Sequence, residues 1–537
     1  MSTSLKQASI LIIDDYQGMR TMLRDFVKAM GVTRIDAAGN SKEAISQLSN
    51  AAYDIVICDH NLGAGPNGQQ LLEEAKLRNY VGVSTIWIMV TAEKTHDMVM
   101  GAAEIKPDDY LLKPINQVLL ESRLEKLIAR KQSLGPIEAA IKAGDYPQAI
   151  AQCDQQLQKK VLNPQEILRI KSDLLLTLGD YEAARALFES VLAARSVPWA
   201  KTGLAKILFH TQDYAGAKEV LEQVLQESPM YMEASDWLAR TCNMLGDLDR
   251  AQQVLLNATR MSPNSPTRQK LLGETAYRNG ALDIAQAAFE KTIKISQFSP
   301  HKSAAVYTGL ARVYTDVNTP GEALKVLEQS KKEFKNDPEA AIQTAAAECA
   351  VYCKLKQPEK AQAAMAAAEQ QLEQLGGKVN ADVTLEMAKS LFTLGRKDQA
   401  CGLLREVVKN NHENAELSRN VEAVFEREHL EEEGQALIQA SREEVVAINN
   451  EGVELAKRGN FQGGADLLRG AAQKLPNSEV ILVNLCGLLL GLMKQTGKDA
   501  ELAQEARDLL DRVRQLNPAN KKAHVYGAAL TRIMNGA

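Results

Sequence analysis

The sequence predicts an α/β domain built on a doubly wound, five-stranded parallel sheet, followed by an all-α solenoid of stacked helical pairs. Three observations predict this. Short β-type apolar runs recur about every 20 to 30 residues up to Lys113, the length of a βα unit. Strand signals then stop, and a repeat of about 34 residues takes their place. At 537 residues the chain is too long for a single hydrophobic core, so two or more domains are expected.

The candidate strands are Ile10–Ile13, Arg34–Ala37, Ile55–Cys58, Ile86–Val90 and Asp109–Leu112. Four of them hand off to polar residues: Asp14 and Asp15, Asp59, Thr91, and Lys113 followed by Pro114. In an open parallel sheet, reactive groups gather beyond the carboxyl ends of the strands. That rule places all five residues in one crevice. Three carboxylates, a hydroxyl and an ammonium make a small site for a hard divalent cation and a phosphoryl group. Ile115–Lys131 reads as an amphipathic helix, and Gly135-Pro136 breaks it. The expected domains are residues 1–134 and 135–537.

The second half repeats a turn, an apolar residue and a small residue. Gly144-Asp145-Tyr146 precedes Ala149, Gly179-Asp180-Tyr181 precedes Ala184, and Gln212-Asp213-Tyr214 precedes Ala217. Gly246-Asp247-Leu248 with Ala251 and Gly280-Ala281-Leu282 with Ala285 continue the series, at offsets of 35, 33, 34 and 34 residues. Gly and Asp suit the tight turn between two antiparallel helices, and Ala lets those helices approach closely. One such pair cannot bury its apolar face alone, so the units must stack. Residues 405–450 fit the period worst, and the charged run Glu426–Glu433 reads as an exposed turn or an irregular repeat.

Composition excludes several classes. A net charge of −5 disfavours a nucleic-acid-binding surface. At 45% hydrophobic residues the chain is too apolar for disorder. Seven scattered Cys point to a reducing compartment and a cytoplasmic protein. The N-terminal MSTSLKQAS has no apolar signal core. The apolar stretch Val480–Met493 is interrupted by Asn484 and short for a bilayer, so it is expected as a buried helix without membrane insertion.

The segments LIIDD, DIVICD, IMVTAE and YLLKPI, in register, resemble the receiver domain of two-component response regulators, the CheY-like family with a flavodoxin-like fold. The resemblance covers about residues 7 to 130. It implies that Asp59 accepts the phosphoryl group, assisted by Lys113 and Thr91, and that Tyr110 is a switch aromatic. It also implies a Mg2+ ion held by Asp15, Asp59 and the backbone carbonyl of Asn61, with Asp14 acting through a water. The Asn61 and Glu93 side chains would tune the lifetime of the phosphorylated state. One departure is Gly63, where the family usually has Pro. The helical period resembles the tetratricopeptide repeat.

Together these resemblances imply a phosphorelay response regulator, a signalling and interaction protein rather than an enzyme. Phosphorylation of Asp59 would switch protein–protein interactions of the repeats. An alternative is a helical-repeat phosphatase or sequestering protein acting on another response regulator. The implied partners are a sensor histidine kinase or phosphotransfer protein, and a protein or peptide in the repeat groove. The inner-face candidates Asp236, Arg240, Asn243, Lys270, Glu274 and Arg278 carry mixed charge and read mostly as a solvated face. The helix over Ile115–Lys131 and the first repeat, up to about Leu157, are expected to form the interface that couples the two halves.

Overall fold

Alternation of large apolar residues builds the sheet. A computed structural model describes residues 3–92, 104–159, 161–376, 379–517 and 520–535. After a short helix α1 (Thr3–Gln7), the strands are β1 (Ser9–Ile13), β2 (Arg34–Ala38), β3 (Ile55–Asp59), β4 (Ile86–Thr91) and β5 (Asp109–Leu112). All pairs are parallel, in the order β2-β1-β3-β4-β5. The three central strands are buried along their whole length, and edge strand β2 exposes Arg34 and Asp36. Continuous apolar runs suit strands covered on both faces, and charge suits an open edge.

Each face of the sheet has its own layer of helices. Ile10, Ile12, Ile55, Ile57, Ile88 and Val90 pack with Leu23 and Val27 of α2 (Gln17–Ala29) and with Leu120 and Leu124 of α5 (Gln117–Lys131). The alternate residues Leu11, Ile13, Val56, Cys58, Trp87 and Met89 pack with Ala44 and Leu48 of α3 (Ser41–Asn50) and with Leu71 and Leu72 of α4 (Gly68–Leu77). The two-residue period of a strand thus supplies two cores at once.

The chain divides into two compact units, Met1–Thr275 with Glu290–Lys302, and Ala276–Phe289 with Ser303–Ala537. In the first unit the sheet is followed by α6 (Gly135–Lys142), α7 (Tyr146–Gln158), α8 (Pro164–Thr177), α9 (Tyr181–Ala194), α10 (Pro198–His210) and α11 (Tyr214–Glu227). Then come α12 (Met232–Leu245), α13 (Leu248–Met261), α14 (Pro266–Arg278) and α15 (Leu282–Ile295), the last two reaching into the second unit. Gly144, Gly179, Gln212 and Gly246 all take the left-handed conformation, with φ of 65° to 76°. Gln212 therefore adopts the glycine geometry without being glycine. Asp145, Asp180, Asp213 and Asp247 cap the following helices by accepting a backbone N–H three residues on. Ala149, Ala184, Ala217 and Ala251 are fully buried, which confirms them as the close-approach positions. Phe188 lies against Gly203, where a Cβ would overlap its ring.

The second unit continues with α16 (Ala304–Asp316), α17 (Pro320–Glu333), α18 (Pro338–Lys354), α19 (Pro358–Gln374), α20 (Ala381–Thr393) and α21 (Lys397–Asn410). Beyond these lie α22 (Ala415–Arg427), α23 (Glu431–Lys457), α24 (Phe461–Lys474), α25 (Glu479–Thr496), α26 (Ala500–Leu516) and α27 (Lys521–Asn535). The irregularity near residue 430 has a definite form. His429 makes a left-handed turn, and Gly434 stands where the preceding repeats have Ala, against the ring of Phe425. Helix α23 then runs for 27 residues without a break. Its N-terminal part follows the His429 turn and its C-terminal part leads into the Gly459 turn, so one helix serves two pairs. The run Glu431–Glu433 is its first turn, where carboxylates meet the positive end of the helix. Helix α25 is long and apolar enough to span a membrane by composition. Ten of its residues are buried, and most of them pack in one core with residues of α24 and α26, as a helix apolar on all sides requires.

Candidate functional site

The crevice at the carboxyl ends of β1, β3, β4 and β5 collects the charged groups. Asp14, Asp15 and Asp59 place carboxylate oxygens within 4.8 Å of one another. Asp14 is 1% and Asp59 7% exposed, while Asp15 is open to solvent. The Lys113 ammonium donates to Asp59 Oδ2 at 2.8 Å and to Asp14 Oδ2 at 3.2 Å. It thereby bridges two buried carboxylates that would otherwise repel.

Local hydrogen bonds set this geometry. The Tyr16 N–H donates to Asp14 Oδ1 at 2.8 Å, and Arg20 Nη1 donates to the Asp14 carbonyl at 2.6 Å. Arg20 was not singled out in the sequence, because its role is to hold a backbone carbonyl and no motif marks that. The Lys113 N–H donates to the Thr91 carbonyl at 2.8 Å, which ties the Lys-Pro turn to the end of β4. Asn67 and Gln70 form a reciprocal cap at the start of α4. Gly68 lies between them as the first helical residue, and a Cβ there would meet the Asp59 carbonyl oxygen and, at 2.9 Å, the Cys58 sulfur.

Opposing influences act on Asp14 and on Lys113. Burial raises the Asp14 pKa; the Tyr16 N–H lowers it, the Asp59 charge raises it, and the net is upward. Burial pulls the Lys113 pKa down, but its hydrogen bond to Asp59 and the charges of Asp59 and Asp14 outweigh that, and the net is again upward. Lys113 is therefore held in its charged form.

The other residues singled out in the sequence surround this cluster. Thr91 is the buried last residue of β4. Tyr110 sits in β5 opposite Met89 and packs against the cluster containing Leu71 and Trp87. Burial pushes its phenol pKa up to about 12. Asn61 lies exposed in the loop after β3, and its side-chain oxygen accepts from the Gly63 N–H. Gly63 itself has φ +74°, and a Cβ there would stand 3.3 Å from Asp15 Oδ2. Proline cannot adopt that φ, so the departure from the usual pattern is a different loop path. Glu93 lies outside the described residues.

The donor set suits a hard divalent cation. All three close ligands are carboxylate oxygens, with no sulfur or imidazole among them.

Comparisons of the sequence with known families cover the same regions. Residues 10–125 match the response regulator receiver domain family. Residues 137–198, 208–275 and 382–411 match tetratricopeptide repeat families. The chain therefore carries a response regulator receiver domain at its N-terminus and tetratricopeptide repeats after it. The receiver region is similar to chemotaxis protein CheY of Pseudomonas aeruginosa, 28% identical over 121 residues, covering 22% of this chain and 96% of that protein. It is also similar to chemotaxis protein CheY-3 of Vibrio cholerae, 26% identical over 125 residues, covering 23% of this chain and 95% of that protein. A solved two-component response regulator from Clostridium difficile is 28% identical, covering 23% of this chain and 98% of that one, with a TM-score of 0.21.

Proposed function

We propose that residues 1–134 form a phospho-accepting switch whose acceptor is Asp59, and that residues 135–537 are the interaction region it controls. The observation that carries this reading is the Lys113 ammonium 2.8 Å from Asp59 within a cluster of three aspartates. A carboxylate attacking an anionic phosphoryl donor needs its charge neutralised and its line of approach fixed. Mg2+ bound by Asp15 and Asp59, with Asp14 behind it, would neutralise charge on the transferring phosphoryl group. The Asn61 carbonyl is assigned to the same ion. Lys113 holds Asp59 in place before transfer and pairs with a phosphoryl oxygen afterwards. Thr91, at the end of the neighbouring strand, is assigned the hydrogen bond to another phosphoryl oxygen. Tyr110 is the aromatic whose packing reports that change.

The donor would be a sensor histidine kinase or a phosphotransfer protein. The repeats would bind a protein or peptide, and the setting would be cytoplasmic. Mg2+ and labelled acetyl phosphate should place one acid-labile phosphate on the chain, and Asp59→Asn should abolish it. Normal labelling of Asp59→Asn would overturn the assignment.

A further inference from the structure

Within the first unit, the described residues of the receiver touch the repeats at two places of different chemistry. The first is a fixed hinge. Lys131, 9% exposed, pairs with Asp108 at 2.8 Å, donates to the Val83 carbonyl at 2.7 Å and reaches Glu166 of α8 at 3.5 Å. Glu138 of α6 accepts from the backbone N–H of Ser84 at 2.6 Å and from its hydroxyl. Val83 packs against the apolar cluster of Leu134 and Ile137.

The second place is polar and lies far along the chain. Glu104 Oε1 accepts from Arg268 Nη1 at 2.8 Å, across 164 positions. The Nε and Nη2 of the same guanidinium grip both oxygens of Asp236, at 2.7 and 2.8 Å. The Arg268 side chain is only 3% exposed. Two residues after Glu104, the Lys106 charge acts on the carboxylates of Asp173 and Glu233. Asp173, Glu233, Asp236 and Arg268 stand on α8, α12 and α14, the first helices of their pairs. From α4, Glu73 accepts from Ser299 Oγ at 3.3 Å and meets His301 Nε2 at 3.3 Å.

We propose that the face formed by α8, α12 and α14 is a docking site for the receiver's own Glu104–Lys106 segment, and that phosphorylation of Asp59 releases this contact while the hinge, Asp108 included, stays closed. The release rests on the reading of Asp59 given above. Three features support it. The segment Glu104–Lys106 lies two residues before β5, which carries Tyr110 and ends one residue before Lys113. A Lys113 drawn toward a phosphoryl oxygen therefore pulls on the strand that follows the docked segment. The hinge buries apolar surface, whereas the contacts at Glu104 and Glu73 are polar and can be exchanged for water. Finally, Arg268 keeps its fork on Asp236 whether or not Glu104 is present, so opening leaves no buried guanidinium unpaired. A partner competing for the released face would have to offer a carboxylate to Arg268 Nη1.

Hydrogen exchange of the full-length chain tests this, with beryllofluoride and Mg2+ as the phosphoryl probe. Peptides covering α14 and residues 295–302 should exchange several-fold faster with the probe than without it. The double variant Glu73→Gln, Glu104→Gln should show the faster exchange without the probe. It should also take label on Asp59 from acetyl phosphate at the wild-type level. Unchanged exchange in the double variant would overturn the docking site. Unchanged exchange in probe-treated wild type that demonstrably labels on Asp59 would overturn the release. A chain that never labels on Asp59 would instead refute the reading of the acceptor, and the double variant would still decide the docking.

Discussion

Lys113 stands 54 positions from Asp59, yet its ammonium lies 2.8 Å from the Asp59 carboxylate. It also reaches Asp14 at 3.2 Å. One positive charge is thus shared between two buried negative ones, and a third carboxylate, Asp15, stands close by. Whatever removes that charge changes both what the site attracts and what it can do.

Lys113→Ala should therefore have two opposite effects. Three carboxylates without the ammonium attract a divalent cation more strongly, so Mg2+ should bind about tenfold tighter, or ~1.4 kcal/mol. Labelling from acetyl phosphate should fall at least tenfold, because the phosphoryl oxygens lose their counter-charge. Titration calorimetry and label uptake measure the two separately. Weaker Mg2+ binding in the variant would contradict the electrostatic account.

Gly68→Ala tests how closely the loop after β3 is fitted. The added methyl would meet the Asp59 carbonyl, the Cys58 sulfur and the Met89 sulfur. A crowded core substitution of this kind costs about 1–3 kcal/mol, seen as a lower urea midpoint. Gly402→Ala, inside α21, is the control, since beyond its chain neighbours a Cβ there meets nothing within 4 Å. It should leave stability unchanged or raised by about 0.5–1 kcal/mol. Equal effects of the two substitutions would mean that the Gly68 contact does not matter.

The strands and the turns of the repeats were legible because their signals are local. Ile10–Ile13, Ile55–Cys58 and Ile86–Val90 are apolar runs that a strand covered on both faces requires. Gly144, Gly179 and Gly246 mark left-handed turns that glycine adopts without strain. The Glu426–Glu433 run, expected as an exposed turn or an irregular repeat, holds the His429 turn and the start of the unusually long α23. Its last three residues, Glu431–Glu433, open that helix, where the dipole favours carboxylates. The loop through Gly63 escaped because a family pattern suggested another residue there. Asp236 was read as part of a solvated face; it is gripped by Arg268, which also holds Glu104. No local pattern announces a contact between a receiver loop and a repeat helix 164 positions away.

In the second unit, Glu386 of α20 is 4% exposed and takes both of its oxygens to Arg312 of α16, with Arg312 Nε donating to Oε1 at 3.2 Å. Burial raises the Glu386 pKa, but the charges of Arg312 and Lys389 and the Arg312 hydrogen bond outweigh it, and the net is downward. A carboxylate with a lowered folded pKa stabilises above its unfolded value, about 4.5, and loses that contribution as pH falls through the folded value. Glu386→Gln should cost about 1.5–3 kcal/mol at pH 7. The gap to wild type should narrow as the pH drops below about 4.5. A gap that is constant with pH would mean the carboxylate charge contributes nothing.

His301 gives the opposite dependence. Its hydrogen bond to Glu73 raises its pKa, burial lowers it, and the Glu73 charge tips the balance upward from 6.5. A group with a raised folded pKa stabilises fully below its unfolded value, and the contribution fades as pH rises through the folded value. The imidazolium then loses its proton, and the pair with Glu73 loses its charge. His301→Gln should therefore lower the melting temperature more at pH 6 than at pH 8.5. Glu73→Gln should shrink this pH dependence, because the carboxylate that raises the pKa is gone. Since Glu73 also accepts from Ser299, the contact should weaken but persist at high pH. Beryllofluoride should accordingly open the segment at residues 295–302 further at pH 8.5 than at pH 6, after correction for intrinsic exchange rates. A larger effect of His301→Gln at pH 8.5 would show that the neutral imidazole, and not the ion pair, holds the receiver there.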